Sequence, residues 1–513
     1  MRAVLFALCV SMPLTAQTEA ARCEALRDLR LPRVDLTEVT WTTASATLPA
    51  HCLVRGSIDK RTGFGGKTFS IGFELRLPDA WQGRFFFQGG GGMDGLVRPA
   101  NGTVTGGANA LSRGFAVVST DAGHQGATAN PSADASFALD QQARIDFAYR
   151  SIGRVTDVSK SLIEARYGRN PDRSYFAGCS NGGRQALMAA QRFPLEFDGI
   201  ISGAPAYRVT KSTIGSAWET IAFAAIAPKD ANGKPILSQA FSNDDLKLVT
   251  DGILARCDAL DGSRDGLVFN TKACRFDPAE LRCKSAKDAT CLSEQQVGAL
   301  HKVFAGPHNS RGEALYSDWP WDPGIASPGW RALKLGTSPT ATPNSVDFTL
   351  MFEGLKGFFF FPPQPNFDPL KFDFDRDPAR VEDTAALQDP TSTHYSSFTQ
   401  HGGKLLLYHG MADPFFSAND TARYFESLGD GKNAWASLFL VPGMTHCGGG
   451  PALDNFDSLS AIVDWVEKGK TPASIEARGK AFPNIARPLC PYPSYAAYSG
   501  TGDPALASSY QCR

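Results

Sequence analysis

The sequence predicts an α/β fold, and three segments carry the prediction. In the first, an apolar run at residues 174–177 leads into Gly-Cys-Ser-Asn-Gly at 178–182 and then into a helical run at 184–192. The other two are apolar runs at 404–408 and 437–441, each typical of a buried strand and each followed by a glycine-containing loop. Strands that alternate with helices in this way are typical of a sheet covered by helices.

Residues 178–182 match the G-x-S-x-G pattern of a nucleophile elbow, in which a strand turns sharply into a helix and displays a serine. Glycine two positions either side of Ser180 permits so tight a turn, because a side chain there would clash. The pattern alone is weak, since plain strand-to-helix turns also match it. We therefore predict Ser180 as the nucleophile only together with the two later segments.

The apolar runs at 404–408 and 437–441 are each followed by a candidate catalytic residue, an acid after the first and a base after the second. Asp413 follows the strand at 404–408, and His446 follows the strand at 437–441. The order Ser180, Asp413, His446 is that of α/β-hydrolase triads. His446 would take the serine proton, and Asp413 would hold its tautomer and stabilise the imidazolium. His409 is a rival base, but it precedes the acid on the same strand, and we interpret it as a packed or hydrogen-bonded structural histidine.

Cysteines flank two of these positions, since Cys179 precedes Ser180 and Cys447 follows His446. A disulfide between them would tie the two loops together. This pattern resembles the tannase and feruloyl esterase family, which also includes hydrolases of terephthalate monoesters. The resemblance extends to the glycine run after 85–87, to 372–375 and to 487–493, and it covers about residues 23 to 512. It implies an α/β-hydrolase core with a large inserted lid domain.

The chain has 11 cysteines, and setting Cys9 aside in a leader segment leaves an even number, consistent with disulfides in an oxidising compartment. Spacing alone does not decide their connectivity. No C-x-x-C pair exists, so a zinc-thiolate site is disfavoured. The resemblance implies five pairs: Cys23 with Cys52, Cys179 with Cys447, Cys257 with Cys274, Cys283 with Cys291, and Cys490 with Cys512.

Residues 1–20 have the charged, apolar and small-residue regions of a secretory signal, so we expect a secreted or periplasmic protein. Cleavage after Ala16, Ala20 or Ala21 fits the pattern. No later run is long enough to span a membrane. We assign 21–205 and 401–513 to the catalytic domain and 206–400 to the lid, because the hydrolase pattern stops near 205 and resumes near 403.

Four glycines at 89–92 follow a strand upstream of the nucleophile, where α/β-hydrolases place an oxyanion loop. A backbone N–H of this run and that of Asn181 would bind the oxyanion. The resemblance favours Gly92, and which of the four donates stays open.

Three carboxylates lie close together at Asp258, Asp261 and Asp265. Calcium prefers such oxygen-rich clusters, although the spacing fails the EF-hand pattern and a solvated acidic turn is the alternative. The resemblance implies a Ca²⁺ site made by these three side chains and the main-chain oxygens of Ser263 and Leu267, with the bridge from Cys257 braced against it.

Phe416 corresponds by resemblance to the acyl pocket, where we expect it to stack on an aromatic acid. Lid aromatics could form a flat, apolar ligand surface or simply pack a core: Trp319, Trp321, Trp330, Phe348, Phe352 and 358–361. The arginine with which terephthalate monoester hydrolases bind a free carboxylate has no counterpart between Gly336 and Phe352. This departure argues against terephthalate specificity.

Together these features predict a serine carboxylic ester hydrolase acting on esters of hydroxycinnamic or gallic acids through an acyl-enzyme. Alternatives are hydrolysis of mono(2-hydroxyethyl) terephthalate or a related small aromatic ester and, from another class, a non-catalytic phenolic- or carbohydrate-binding protein. A net charge of −1 over 513 residues and the lack of a basic stripe exclude nucleic acid as an expected partner. Oligomeric state is not predicted.

Overall fold

The computed structural model describes residues 18–127 and 129–513. The predicted secretion signal lies outside the described residues except for its last three. Within the described ranges, no helix combines the length and the apolar character needed to cross a membrane.

The strands are short to medium in length and lie in three sheets. They are β1 (Val34–Thr42), β2 (His51–Thr62), β3 (Thr68–Pro78), β4 (Arg84–Gln88), β5 (Phe115–Thr120), β6 (Arg173–Cys179), β7 (Gly199–Gly203), β8 (Lys404–Gly410), β9 (Ala436–Val441), β10 (Asn455–Phe456), β11 (Ile475–Gly479), β12 (Phe482–Leu489), β13 (Ala496–Tyr498) and β14 (Tyr510–Cys512).

The central sheet has nine strands in the order β1-β2-β3-β5-β4-β6-β7-β8-β9. The first three strands are antiparallel, β3 is antiparallel to β5, and every later neighbour pair is parallel. The crossover of β4 and β5 before a run of parallel strands is the arrangement of an α/β-hydrolase, so the predicted fold class is confirmed. Parallel strands bring the carboxyl ends of β6, β8 and β9 to one edge of the sheet.

The α-helices cover the sheet and fill the insertion. They are α1 (Glu19–Glu24), α2 (Gln141–Ile145), α3 (Ser151–Tyr167), α4 (Asn181–Arg192), α5 (Val209–Ile226), α6 (Asn243–Cys257), α7 (Glu294–Phe304), α8 (Pro328–Lys334), α9 (Phe352–Gly354), α10 (Glu382–Gln388), α11 (Ser396–Gln400), α12 (Ala418–Ser427) and α13 (Ser458–Lys468).

One helix boundary differs from the sequence prediction. Helix α4 begins at Asn181 rather than at Arg184, because its first turn contains two glycines that helix propensity disfavours but that tertiary packing requires. Helix α13 begins at Ser458, because Phe456 pairs in β10 and the Asp457 side chain accepts a hydrogen bond from the Ser460 N–H as a cap.

The chain leaves the central sheet after β7 and returns to it at β8, the strand beside β7. The intervening residues 204–403, all of them described, contain helices α5 to α11 and no strand. This insertion has an apolar core of its own, which includes Phe223, Val249 and Leu300. The side chains of this core are buried against one another rather than against the sheet.

Five disulfides join the pairs that the resemblance implies, which confirms that prediction. The Cys179–Cys447 bridge spans 268 residues of sequence and links the end of β6 to the loop after β9. The other four bridges close loops of 8 to 29 residues.

Candidate active site

Ser180 occupies the sharp turn between β6 and α4 in a strained backbone conformation, with φ 64° and ψ −126°. The flanking glycines make that turn possible. A Cβ on Gly182 would lie 2.6 Å from the Gly90 carbonyl oxygen, and one on Gly178 would lie 2.6 Å from the backbone of Gly182. Contacts so short exclude any side chain, so the elbow geometry predicted for Ser180 is present.

Asp413 and His446 meet at the ends of β8 and β9. Nδ1 of His446 lies 2.8 Å from Oδ2 of Asp413, which is 2% exposed. Burial by itself raises the pKa of Asp413, but the charge and hydrogen bonds of His446 and His409 outweigh it and hold the pKa well below its usual range. Asp413 is therefore ionised and fixes His446 with Nδ1 as donor and Nε2 as acceptor.

The Cys179–Cys447 bridge brings the serine and the histidine loops together. Its Cα atoms are 5.9 Å apart, and Ser180 and His446 are the immediate chain neighbours of the bridged cysteines. In the described part of the chain, no hydrogen bond joins the Ser180 hydroxyl to His446. In ligand-free enzymes this contact is often long and tightens only when substrate binds.

His409, the rival base, lies fully buried behind Asp413. Its Nε2 is 2.9 Å from the Phe416 carbonyl oxygen and 3.2 Å from Asp413 Oδ2, and its Nδ1 is 2.8 Å from Thr421 Oγ1. The carbonyl only accepts, so Nε2 carries the hydrogen and Nδ1 accepts from the threonine hydroxyl. Both ring nitrogens are engaged, which leaves His409 no free nitrogen for a serine proton.

Backbone N–H groups beside Ser180 are available for an oxyanion. Asn181 is the first residue of α4, where N–H groups have no partner within the helix. In the glycine run, Gly89 N–H donates to the Ala177 carbonyl and Gly90 N–H donates to Gln185. Gly91 and Gly92 remain as candidate donors, and of these two Gly92 lines the cavity beside Ser180.

Gly92 is also a position that only glycine fills easily, since its φ is +59° and a Cβ there would lie 2.6 Å from the Ser132 carbonyl oxygen. These observations support Gly92 among the four candidates, as the resemblance did.

Ser180 opens onto an apolar cavity at the interface of sheet and insertion. Its walls combine residues from both: Gly92, Met93, Phe147, Ser180, Asn181, Arg184, Ala206, Val209, Leu350, Met351, Phe359, Gln388, Phe415 and Phe416. Phe416 lies in the wall as expected, and its ring centroid is 5.4 Å from that of His446.

Sequence reasoning missed Phe415, whose ring centroid is 4.7 Å from that of His446. It also missed Gln388 and Arg184 in the cavity wall. Adjacency to Phe416 was the available signal for Phe415, whereas no local pattern marks Gln388, which ends an ordinary short helix.

The lid aromatics do not form one ligand surface. Phe359 lines the cavity beside Ser180, whereas Trp319 and Trp330 line a separate cavity under Asp413. Trp321 stacks on Phe304 with ring centroids 3.7 Å apart. Phe348 contacts Phe352 and Phe360 contacts Phe367 within the insertion. Phe358 packs against Phe137 and Phe147 outside the insertion, and Phe361 is half-exposed. Most of these aromatics therefore pack in a core, which was the alternative to a ligand surface in the sequence analysis.

A buried polar network holds the residue after the nucleophile. The Asp94 carboxylate accepts hydrogen bonds from the side-chain amides of Asn181 and Gln185, and Arg184 Nε donates to Asn181 Oδ1 over 2.6 Å. Burial raises the pKa of Asp94 to about 6, against the opposing effects of Gln185, Arg184 and Asn181. This network fixes the first turn of α4, whose N–H groups face the oxyanion position.

The two cations that could have replaced the missing lid arginine do not reach the cavity. Arg331 donates to the carbonyls of Phe241 and Ser238, and Lys334 is buried in an ion pair with Glu219. Arg184 does line the cavity, but its guanidinium donates to neighbouring carbonyls and faces the carboxylates of Asp94 and Asp389.

The acidic loop after α6 has donors of the type calcium binds. Asp261 is 4% exposed, and burial, with smaller contributions from the charges of Asp265 and Asp258, raises its pKa to about 6. Each of these carboxylates also accepts hydrogen bonds from backbone N–H groups, and Arg487 pairs with Asp265.

Across residues 18–127 and 129–513, no three or more His, Cys, Asp or Glu side chains are grouped as a metal site. Carboxylate and main-chain oxygens are nevertheless the type of ligand that Ca²⁺ prefers.

The whole architecture has counterparts among known proteins. A family model described as tannase and feruloyl esterase matches residues 52–513. The sequence is 42% identical to mono(2-hydroxyethyl) terephthalate hydrolase of Piscinibacter sakaiensis, over 96% of this chain and 91% of that protein. It is 30% identical to a probable feruloyl esterase of Arthroderma benhamiae, over 85% of this chain and 81% of the relative.

The crystal structure of feruloyl esterase B from Aspergillus oryzae superposes with a TM-score of 0.80 at 26% identity, covering 97% of this chain and 100% of that one. These matches include both the sheet and the insertion.

Proposed function

The chain belongs to the tannase and feruloyl esterase family and is a carboxylic ester hydrolase, and from this premise we propose that it cleaves esters of aromatic acids through a serine acyl-enzyme. The contact of His446 with the ionised Asp413, beside the strained Ser180 and an apolar cavity, carries the proposal.

In the first half-reaction, Ser180 Oγ attacks the ester carbonyl carbon while His446 Nε2 takes the hydroxyl proton. The N–H groups of Asn181 and Gly92 stabilise the oxyanion, a contribution worth roughly 100-fold to 1000-fold in rate per donor. The tetrahedral intermediate then expels the alkoxide, which receives the proton from His446 and leaves as the alcohol. Asp413 stabilises the transient imidazolium.

In the second half-reaction, water attacks the acyl-enzyme and gives a proton to His446. The second tetrahedral intermediate breaks its bond to Ser180 Oγ and releases the acid, and Ser180 Oγ takes the proton back from His446. The apolar walls exclude other water from the acyl group, which strengthens each electrostatic contact at the reacting carbonyl.

For the acyl group, we favour hydroxycinnamic and gallic acids. Phe415 and Phe416 form an apolar wall next to His446 that suits a flat ring. Neither Arg331 nor Lys334 offers a cation to a free carboxylate in this cavity. The second candidate is a terephthalate monoester, which is favoured by the 42% identity to a hydrolase of such a substrate.

A substrate panel distinguishes the two candidates. Methyl ferulate, methyl gallate and mono(2-hydroxyethyl) terephthalate are compared by kcat/KM with wild-type enzyme and with the Phe416→Ala variant. We expect the ferulate or gallate ester to be preferred, and Phe416→Ala to erode the preference for aromatic over aliphatic acyl groups. A clear preference for the terephthalate monoester would select the second candidate, and no hydrolysis of any ester would refute the proposed mechanism.

We further propose that Asp258, Asp261 and Asp265, with the main-chain oxygens of Ser263 and Leu267, hold Ca²⁺ as a structural ion. The ion would neutralise the repulsion among the three carboxylates and brace the loop that Cys257–Cys274 closes. It takes no part in ester chemistry. Secretion or export to the periplasm is proposed from the five disulfides and the signal pattern at residues 1–20.

A further inference from the structure

The side-chain amide of Gln388 is a buried polar group without a partner. Gln388 ends helix α10 and is 0% exposed, and neither Oε1 nor Nε2 makes a hydrogen bond. It lines the cavity onto which Ser180 opens. Buried amides are almost always paired, because an unpaired one loses its bonds to water without replacement. A partner supplied by a ligand in the cavity accounts for this exception.

The other polar side chains of the cavity wall, apart from Ser180, are already engaged. Asn181 donates to Asp94 and accepts from Arg184. Arg184 also donates to the carbonyls of Phe147 and Ala148. Among the described lining residues, Gln388 is thus the one amide with both a free donor and a free acceptor.

The backbone holds Gln388 in place while its side chain stays free. Its carbonyl oxygen accepts a hydrogen bond from Arg184 Nη1 over 3.3 Å. The next residue, Asp389, accepts a hydrogen bond from Thr210 Oγ1 on the insertion. These contacts anchor the end of α10 to the elbow helix α4 and to helix α5, so the backbone position from which the amide enters the cavity wall is fixed.

Resting on the proposed function, we propose that Gln388 selects acyl groups that carry a phenolic hydroxyl. A neutral phenol both donates and accepts, so it satisfies Oε1 and Nε2 together. A methoxy group or a carboxylate only accepts, which would leave Oε1 unpaired. A carboxylate would in addition be buried without a free cation to pair with, because the guanidinium of Arg184 already donates to Asn181 and to the carbonyls of Phe147 and Ala148.

The test uses methyl esters that differ at one ring position: benzoate, 4-hydroxybenzoate and 4-carboxybenzoate, with cinnamate and 4-hydroxycinnamate as the longer pair. For wild-type enzyme, the hydroxylated member of at least one pair should have a kcat/KM roughly tenfold or more above its unsubstituted partner. In the Gln388→Leu variant this ratio should fall to within about threefold of one.

Gln296→Leu is the matched control, because Gln296 is a buried glutamine of the insertion that bonds to Asp245 and lies outside the cavity wall. It should leave the hydroxyl preference unchanged. An equal loss for all esters in Gln388→Leu would show a merely structural role, and a selective loss for 4-carboxybenzoate would show a carboxylate site. Either result overturns the inference.

A binding measurement separates failure of this inference from failure of the proposed function. Calorimetry of Ser180→Ala with methyl 4-hydroxycinnamate and methyl cinnamate, and with the corresponding benzoates, reads the preference without turnover. We expect tighter binding of the hydroxylated ester in one pair, and loss of that difference in Ser180→Ala/Gln388→Leu. Equal affinities within both pairs would overturn the role of Gln388 even if hydrolysis is observed, whereas absent hydrolysis with this preference intact would refute the mechanism alone.

Discussion

Nδ1 of His446 lies 2.8 Å from Oδ2 of Asp413, a carboxylate that the protein holds ionised at the sheet edge. This contact decides which nitrogen of the histidine accepts a proton, and it places the acid and base of the proposed reaction on two adjacent strands.

Substitution of Ser180 or His446 by alanine should lower kcat by roughly 10⁴-fold to 10⁶-fold, and the double variant should be hardly worse than either single one. The reason is that nucleophile and base act as a unit. Steady-state rates with methyl ferulate check this, with circular dichroism as a control for folding. A well-folded Ser180→Ala protein that keeps substantial activity would contradict the assignment.

His409→Ala should damage stability more than catalysis. The change leaves Thr421 Oγ1, the Phe416 carbonyl and part of Asp413 without their buried partner, at a cost on the order of 2–4 kcal/mol. Below the lowered melting temperature, kcat should fall less than about 100-fold. Urea unfolding and rates measured on the same preparations test this, and His409→Gln should recover part of the stability. If folded His409→Ala were as inactive as His446→Ala, the two histidines would have been assigned the wrong way round.

Replacing both Cys179 and Cys447 by serine should reduce kcat by roughly 10-fold to 100-fold at temperatures where the protein stays folded, since small misplacements of reacting groups are this costly. The control is the Cys283→Ser/Cys291→Ser protein, whose bridge closes a loop of only 8 residues in the insertion. That control should retain its rate. Peptide mapping of the wild type without reductant should recover Cys179 linked to Cys447, and a free Cys179 thiol would argue against this prediction.

Chelation of calcium should lower the melting temperature, because a ligand that binds only the folded state stabilises it by about 2.7 kcal/mol at 100 times its Kd. Asp261→Asn/Asp265→Asn should mimic chelation and respond no further to chelator. Asp251→Asn, an exposed acid on α6, serves as control and should behave as wild type. Metal analysis of freshly purified protein should find one calcium per chain. Protein without calcium and without a response to chelator would refute the site.

Asp94 should give stability a defined pH dependence. Its folded pKa of about 6 lies above its ordinary value of 3.8, so the fold favours the protonated carboxyl. The stabilisation that Asp94 contributes is therefore fully present below its ordinary pKa of 3.8, and it is lost as the pH rises through the folded-state pKa of about 6. Relative to Asp94→Asn, wild type should gain on the order of 1–1.5 kcal/mol in free energy of unfolding between about pH 8 and about pH 5.

Denaturant unfolding of both proteins at the two pH values measures this difference. Asp35→Asn, at an exposed position on β1, is the control and should show no such relative gain. A constant difference between wild type and Asp94→Asn would mean that Asp94 ionises as it does in the unfolded chain.

The sequence by itself determined the features that rest on local sterics and on chain order. Close backbone contacts around Ser180 require glycine at 178 and 182, and the G-x-S-x-G motif at 178–182 reveals this requirement in the sequence. Strand ends followed by Asp413 and His446 predicted their shared edge, because parallel strands place their carboxyl ends together. Through the family resemblance, the sequence also identified all five disulfide pairs.

Only the tertiary structure decided which residues, distant in sequence, share the cavity. Whether His409 or His446 has a free ring nitrogen depends on Thr421 and the Phe416 carbonyl, which no pattern around His409 reveals. Most of the lid aromatics pack in a core rather than beside the nucleophile, and Gln388 lies unpaired in the cavity wall more than 200 positions after Ser180. Such relations arise from the packing of the insertion against the sheet, where burial and hydrogen-bond pairing are settled by residues that local sequence does not bring together.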